Sequence, residues 1–238
     1  MFVTALIPAR YEASRFPGKL MQPLGGRSVI RRTYEAARET GLFQEVIVAT
    51  DHDEIEKEIV SAGGTVFRSQ RLHESGTDRI AETAGGLATD LIINIQGDTP
   101  FIKKEPLQKL IGLFQDPSVS VASMMQVLEK EDEINDPNFV KVAIDRKSNA
   151  LFFSRSRIPY PRDPIQPVVY YEHIGVYAFR KQALLDFVRW PMGTLEAAEK
   201  VECLRFLENG VSIKMLKVDY LGVEIDTPED LKKAEKLL

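Results

Sequence analysis

Apolar residues come in short unbroken runs along the first half of the chain. Each run is followed by a stretch where they recur every three or four positions. The runs FVTALIP (2–8), EVIVATD (45–51), TVFRS (65–69) and DLIINIQGD (90–98) predict strands. Strands this continuously apolar belong to a sheet covered on both faces. Between them, SVIRRTYEAARETG (28–41), DEIEKEIVSAGG (53–64) and TDRIAETAGGLA (77–88) have helical spacing. Glycine stops the first at 41 and the second at 63–64, and Thr77 stands where an N-cap would open the third. Strict alternation of this kind predicts βαβ units and a parallel sheet.

Past Pro117 the pattern changes. VSVASMMQV (119–127), FVKVAID (139–145), ALFFSR (150–155) and HIGVYAF (173–179) are strand-like with few helical stretches between them, which predicts an antiparallel or mixed extension. SRIPYPRDPIQPVV (156–169) holds four of the chain's 13 prolines and reads as an exposed loop. LEAAEKVECLRFLENG (195–210) reads as one strong helix ended by Gly210, and VSIKMLKV (211–218) as a strand. In DTPEDLKKAEKLL (226–238), Thr227 is a good N-cap, Pro228 fits the first helical position, and Glu229 and Asp230 suit the positive end of the dipole.

Composition narrows the reading only modestly. With 238 residues and no linker between the halves, one domain spanning 1–238 is expected, with 1–116 and 117–238 as its two halves. The net charge of −4 carries no basic excess, so a nucleic-acid partner is not expected and any cationic cluster is local. A single cysteine, Cys203, excludes an intrachain disulfide and fits a reducing compartment. The apolar start is too short to span a bilayer and lacks a basic n-region and a cleavage site. It is therefore read as a strand, with no membrane partner and a cytoplasmic location expected.

Candidate chemistry lies at the ends of the strands, where open parallel sheets bind ligands. LIPARYEASRFPGKLM (6–21) carries Arg10, Arg15 and Lys19 on a loop punctuated by Pro8, Pro17 and Gly18. Long cations converging there suit a polyphosphate, arginine as a fork and lysine as a point charge; the bland alternative is a solvated loop. In IQGDTP (95–100), Asp98 at a strand end is a natural Mg2+ ligand or simply a turn residue. Asp226 in VEIDTPED is either cap chemistry or, if beside Asp98, the completion of a metal site. HESGTDR (73–79) offers a small, hydroxyl-rich helix start suited to a base or ribose. In the second half, Arg155, Arg157 and His173 could hold a substrate carboxylate. Glu196, Glu199 and Glu202, three apart, either accept sugar hydroxyls or form a solvated helix face.

Taken in order, IPARYEASRFPGK, VATD, the glycines at 63–64, SGTDR, NIQGD, VKVAID, FFSRSRIPY, HIGVYAFR, LEAAEKVECLR and IDTPEDL resemble the 3-deoxy-manno-octulosonate (KDO) cytidylyltransferases. The resemblance runs from Phe2 to the last helix without a large insertion. It implies an α/β fold of the nucleotide-diphosphosugar transferase kind, Rossmann-like. That fold has three α/β/α layers with a mixed, mainly parallel sheet and an antiparallel dimerisation extension. It implies Mg2+, CTP and an eight-carbon sugar acid, a homodimer, and formation of CMP-KDO and pyrophosphate for lipopolysaccharide. By resemblance, Arg10, Arg15, Lys19 and Asp98 are catalytic. Ala9, Arg10, Arg15, Lys19, Ser75, Gly76, Thr77, Arg79 and Gln96 contact nucleotide. Gln96, Arg155, His173, Glu196, Glu199 and Glu202 contact the sugar acid, and Asp98 and Asp226 bind the metal.

The chain departs from the family pattern at four places. Thr99 replaces the glutamate of QGDEP, Glu74 sits in HESGT, Cys203 replaces a glutamine, and PGKPL reads PGKLM. Extra carboxylates could favour the 8-amino relative of KDO, the alternative substrate. A nucleotide-binding regulator without turnover is the alternative of another class. The absence of G-x-G-x-x-G after the first strand argues against a dinucleotide oxidoreductase.

Overall fold

The computed structural model describes residues 1–12, 16–71, 73, 75–163, 168–219 and 222–238. Two compact units emerge, Met1–Gln108 together with Leu221–Leu238, and Lys109–Tyr220. Arg15, Glu74 and the 164–167 part of the proline-rich loop lie outside the described residues.

The first unit opens with β1 (Val3–Ala9), every residue of which is buried. A small hairpin, β2 (Pro23–Leu24) and β3 (Arg27–Ser28), leads to α1 (Val29–Glu39). Then follow β4 (Glu45–Thr50), α2 (Asp53–Ser61), β5 (Thr65–Arg68), α3 (Gly76–Gly85) and β6 (Leu91–Asn94). The strands run β6-β1-β4-β5, all parallel, with Leu6 opposite both Ile47 and Asn94. Burial on both faces explains the unbroken apolar runs, and each fully buried Leu or Ile contributes about 1.5–3 kcal/mol. The chain crosses from β1 to β4 on one side and reaches β6 on the other. Ligands of open parallel sheets bind at such a reversal.

Ser28 caps α1, its Oγ accepting from the Arg31 amide. At α3 the cap is Ser75 rather than Thr77. Ser75 Oγ accepts from the Asp78 amide while Asp78 accepts from the Ser75 amide, and Thr77 lies inside the first turn, buried. The capping box explains the correction, because Asp78 is three residues beyond Ser75 and completes a reciprocal pair.

The division between units falls within α4 (Lys104–Gly112). The second unit contains β7 (Val121–Leu128), α5 (Glu131–Asn135), β8 (Lys141–Ile144), β9 (Ala150–Ser154), β10 (Tyr170–Arg180) and α6 (Lys181–Phe187). It ends with α7 (Thr194–Glu199), α8 (Leu204–Glu208) and β11 (Ile213–Lys217). β10 is antiparallel to β7 and β8, β8 is antiparallel to β9, and β11 is parallel to β7. The expected antiparallel character of this half is therefore present. The hydrophobic pattern assigns nothing to the stretches that form α4, α5 and α6.

One expectation fails here. The single helix over 195–210 is broken into α7 and α8, with Lys200 in the left-handed region at φ 54°. The cause is distant in sequence. Arg155 Nε donates to the Glu199 carbonyl (2.7 Å) and its Nη2 to the Lys200 carbonyl (3.3 Å), so oxygens freed by the break find partners.

The chain returns to the first unit through α9 (Pro228–Glu235). Thr227 caps it with Asp230 in a second capping box, and Pro228 occupies the first turn, as the sequence predicts.

Candidate active site

Lys19 begins a short 3-10 turn just after Gly18, and its ammonium joins two segments that are remote in sequence. Nζ donates to Asp98 Oδ2 at 2.5 Å and to Asp226 Oδ1 at 2.8 Å. Asp98 follows the end of β6, where Gly97 fits closely. A Cβ there would lie 3.1 Å from the Pro8 carbonyl and 3.1 Å from Ile30 Cδ1, so a side chain would force the loop away from β1. The Asp98 carbonyl accepts from the Ile225 amide at 3.0 Å, which sets Asp226 beside it. Burial alone would push the Lys19 ammonium down; the two carboxylates outweigh it and hold its pKa above the ordinary lysine value. The proximity that the sequence left open is thus observed. Thr99, in place of the family's glutamate, is fully buried. Its Oγ1 donates to the Gln96 carbonyl at 2.6 Å and closes the turn that aims Asp98.

The start of α3 meets the end of β1. A Cβ on Gly76 would lie 3.2 Å from Pro8 Cγ and 3.8 Å from Gln96 Oε1, so a side chain here would fit only if Pro8 gave way by a few tenths of an ångström. Ala9, the last residue of β1, is buried. Gln96 Nε2 donates to Asn94 Oδ1 at 3.4 Å. Ser75, Gly76, Thr77 and Gln96 therefore gather at the carboxyl ends of β1 and β6.

Arg10 and Arg79 border a cavity of about 370 Å³, with Tyr11, Asp51, His52 and His73 also lining it. Arg10 Nη2 donates to the His73 carbonyl at 3.1 Å. Arg79 is buried and donates through Nη2 to Asp51 Oδ2 at 2.9 Å, which holds the Asp51 carboxyl below its usual range. Among the described residues Arg79 Nε has no hydrogen-bond partner. The arginine thus fixes the end of β4 against α3 from inside. The sequence reading missed Tyr11 and His52, whose rings stack at 3.8 Å. Their only signal was position, one after each of two strand ends.

A family model described as cytidylyltransferase matches residues 4–213. The chain is a member of the cytidylyltransferase family. A 3-deoxy-manno-octulosonate cytidylyltransferase of Flavobacterium johnsoniae is 53% identical to it, with 100% of this chain and 99% of that one aligned. Another of that name, from Christiangramia forsetii, is 54% identical over 99% of this chain and 96% of that one. A solved structure described as CMP:2-keto-3-deoxy-manno-octonic acid synthetase complexed with CTP superposes with a TM-score of 0.94. It is 36% identical and covers 100% of this chain and 98% of that one.

In the second unit of this cytidylyltransferase, several residues expected to contact the sugar acid are engaged with the protein itself. Glu196 is 3% exposed, and both its oxygens accept from Arg205, Oε2 from Nε and Oε1 from Nη2, each at 2.7 Å. Glu199 accepts from Ser154 Oγ (2.6 Å) and the Arg155 amide (2.8 Å). Arg155 donates to the carbonyls of Pro137, Glu199 and Lys200. Glu202 is half-buried beyond the break, its carbonyl accepting from the Arg205 amide. The three glutamates thus do not share one helix face, because the break at Lys200 rotates Glu202 out of register with the others.

His173 lies on β10, its ring edge-on to Phe153 at 4.9 Å. Part of the residue stays accessible, yet its surroundings are dense, and burial pushes its pKa down to about 3. In the chain without substrate the ring is therefore neutral at pH 7. Its Nε2 lies 3.0 Å from Ser123 Oγ, which is also within 3.1 Å of the Ile174 carbonyl and 2.9 Å of that of Val176. Which of the two donates follows the tautomer of the ring, since the single hydroxyl proton is shared among three acceptors within reach. Beside it, Glu172 was not singled out by sequence. Burial raises its carboxyl, against the lowering effect of a hydrogen bond from Gln126.

Proposed function

We propose that the chain transfers a cytidylyl group from CTP to 3-deoxy-D-manno-octulosonate, giving CMP-KDO and pyrophosphate, as a step towards lipopolysaccharide. The observation that carries this reading is the cluster of Lys19, Asp98 and Asp226 beside the glycine-opened helix α3, in a chain of the cytidylyltransferase family. Lys19, with Arg10 and Arg15, neutralises the triphosphate. Ser75, Gly76 and Thr77 receive the nucleoside, and Gln96 borders both substrates. The anomeric hydroxyl attacks the α-phosphorus in line, pyrophosphate leaves, and no covalent enzyme intermediate forms.

Asp98 and Asp226 are the residues that would hold Mg2+. Among the described residues no group of three or more His, Cys, Asp and Glu gathers to hold a metal by itself. A carboxylate pair nevertheless fits magnesium, which takes one or two carboxylates, substrate phosphates and water. When bound, the ion would withdraw charge from the phosphates. On the sugar side, His173 serves as a neutral hydrogen-bonding group. Arg155, Glu196 and Glu199 hold the frame around it, with Glu202 next in the chain. The whole chain acts as one nucleotidyltransferase domain, works in the cytoplasm and pairs as a homodimer through the antiparallel strands of its second half. Among the described residues no helix is long and apolar enough to cross a membrane.

The test is pyrophosphate release with Mg2+ and CTP, offering KDO, its 8-amino analogue and a sialic acid. Preference for KDO is expected. Preference for the amino sugar would replace the substrate assignment, and CTP binding without release would replace the activity.

A further inference from the structure

Lys19 fills the place where a metal shared by Asp98 and Asp226 would lie. Its ammonium contacts one oxygen of each carboxylate, at 2.5 and 2.8 Å. Magnesium takes carboxylate oxygens at about 2.0–2.1 Å, so an ion shared by the same two oxygens needs the space that the ammonium occupies. The backbone that carries the lysine is held in place, and the side chain is largely covered. That side chain is only 15% exposed, the Lys19 amide donates to the Phe16 carbonyl, and the following Leu20 is buried.

Charge makes the competition stricter. Two carboxylates and one ammonium leave a single negative charge in excess. A dication added without displacing the ammonium would leave the pocket positive and place two like charges side by side. The ammonium can leave only toward another anion, and the flexible four-carbon stem of lysine lets it swing without moving the backbone. A nucleoside triphosphate bound against this loop offers such an anion.

We propose that Lys19 is a resident counter-ion that keeps the carboxylate pair closed to metal until a triphosphate draws it away. This rests on the reading of Asp98 and Asp226 as metal ligands. Metal and nucleotide are then coupled through one side chain: the triphosphate frees the carboxylates, and the metal in turn frees the lysine for the triphosphate. Such coupling is reciprocal in free energy. The free enzyme is correspondingly poor at holding metal, although both its ligands are in place.

The test measures Mn2+ binding to the full chain without nucleotide, by the loss of the free-ion paramagnetic resonance signal. Lys19→Met is expected to bind Mn2+ about tenfold or more tightly than wild type, in the usual range of such coupling. Lys19→Arg, which keeps the charge, is expected to bind like wild type. Adding Asp98→Asn to K19M should abolish the gain. If K19M does not fold without metal, Lys19→Gln supplies the same comparison while keeping a hydrogen-bond donor. A second readout is melting temperature, which Mg2+ should raise more in the K19M or K19Q protein than in wild type. Affinity in these variants equal to or weaker than wild type overturns the proposal. The underlying reading is checked separately by water-proton relaxation of the enzyme, CTP and Mn2+ together. If D98N leaves that enhancement unchanged, the metal assignment fails and the proposal falls with it.

Discussion

Two ion pairs, one in each unit, look alike on paper and differ in every physical respect. Lys19 meets Asp98 and Asp226 through single contacts, with Asp226 36% exposed at its side chain. Arg205 grips Glu196 with two parallel bonds, both side chains are at most 5% exposed, and the guanidinium lies 4.0 Å over the Phe187 ring. The first is an exchangeable point charge next to water, and the second is a fixed fork in a dry wall. A charge proposed to take part in chemistry must be able to change partners. One meant to hold a bend must not.

The sharpest way to break this comparison is to remove one acid from each pair. Asp98→Asn is expected to slow pyrophosphate release by about a thousandfold, the scale of losing a charge-stabilising group. Its melting temperature should stay within about 4 °C of wild type, because Asp226 still partners Lys19. Near-normal release by D98N would remove this residue from the chemistry.

Arg205→Met should do the reverse. Leaving Glu196 buried without its cation costs about 3–5 kcal/mol, which lowers the melting temperature by about 6–20 °C in a chain of this size. The double variant E196L/R205M should recover most of that loss, since apolar replacement of a whole buried pair is often neutral. A single variant that melts like wild type would show the pair to be idle.

A smaller effect refines the contrast between exchangeable and fixed polar groups. His173 is held neutral in the fold, with its pKa pushed down to about 3, whereas an unfolded histidine titrates near 6.5. Below about pH 6.5 the unfolded chain takes up a proton that the folded one refuses. The stabilising effect of the neutral ring is thus complete above that pH and is lost progressively as pH falls toward about 3. Denaturation midpoints measured from pH 7 to pH 4 should fall less steeply in His173→Gln. Parallel curves for the two proteins would contradict the buried, neutral ring.

What could be read from the sequence was local. The apolar runs that became β1 and β6 are buried in every residue, as is β4 beyond Glu45, and Thr227-Pro228 announces α9 through side chains that act within four positions. Ser75 was equally legible, since Asp78 three residues on completes its box; Thr77 drew the eye because it directly precedes the helical pattern. The break at Lys200 was not legible, because the arginine that satisfies its carbonyls is 45 residues away. Nor was the fate of Glu196, whose even spacing with Glu199 suggested a shared face until Arg205 claimed both oxygens. Asp98 and Asp226 could be named as ligands by resemblance, but their proximity rests on long-range contacts, the amide of Ile225 on the carbonyl of Asp98 and the shared ammonium of Lys19.

The cluster that this hydrogen bond helps to assemble spans most of the chain. Asp226 lies 207 residues beyond Lys19. A ribosome adding about 5–20 residues per second takes roughly 10–40 s to travel that distance. The whole second unit is made in the interval, because it is inserted between the two pieces of the first. A nascent chain therefore carries the Lys19 loop well before Asp226, its second carboxylate partner, has been made.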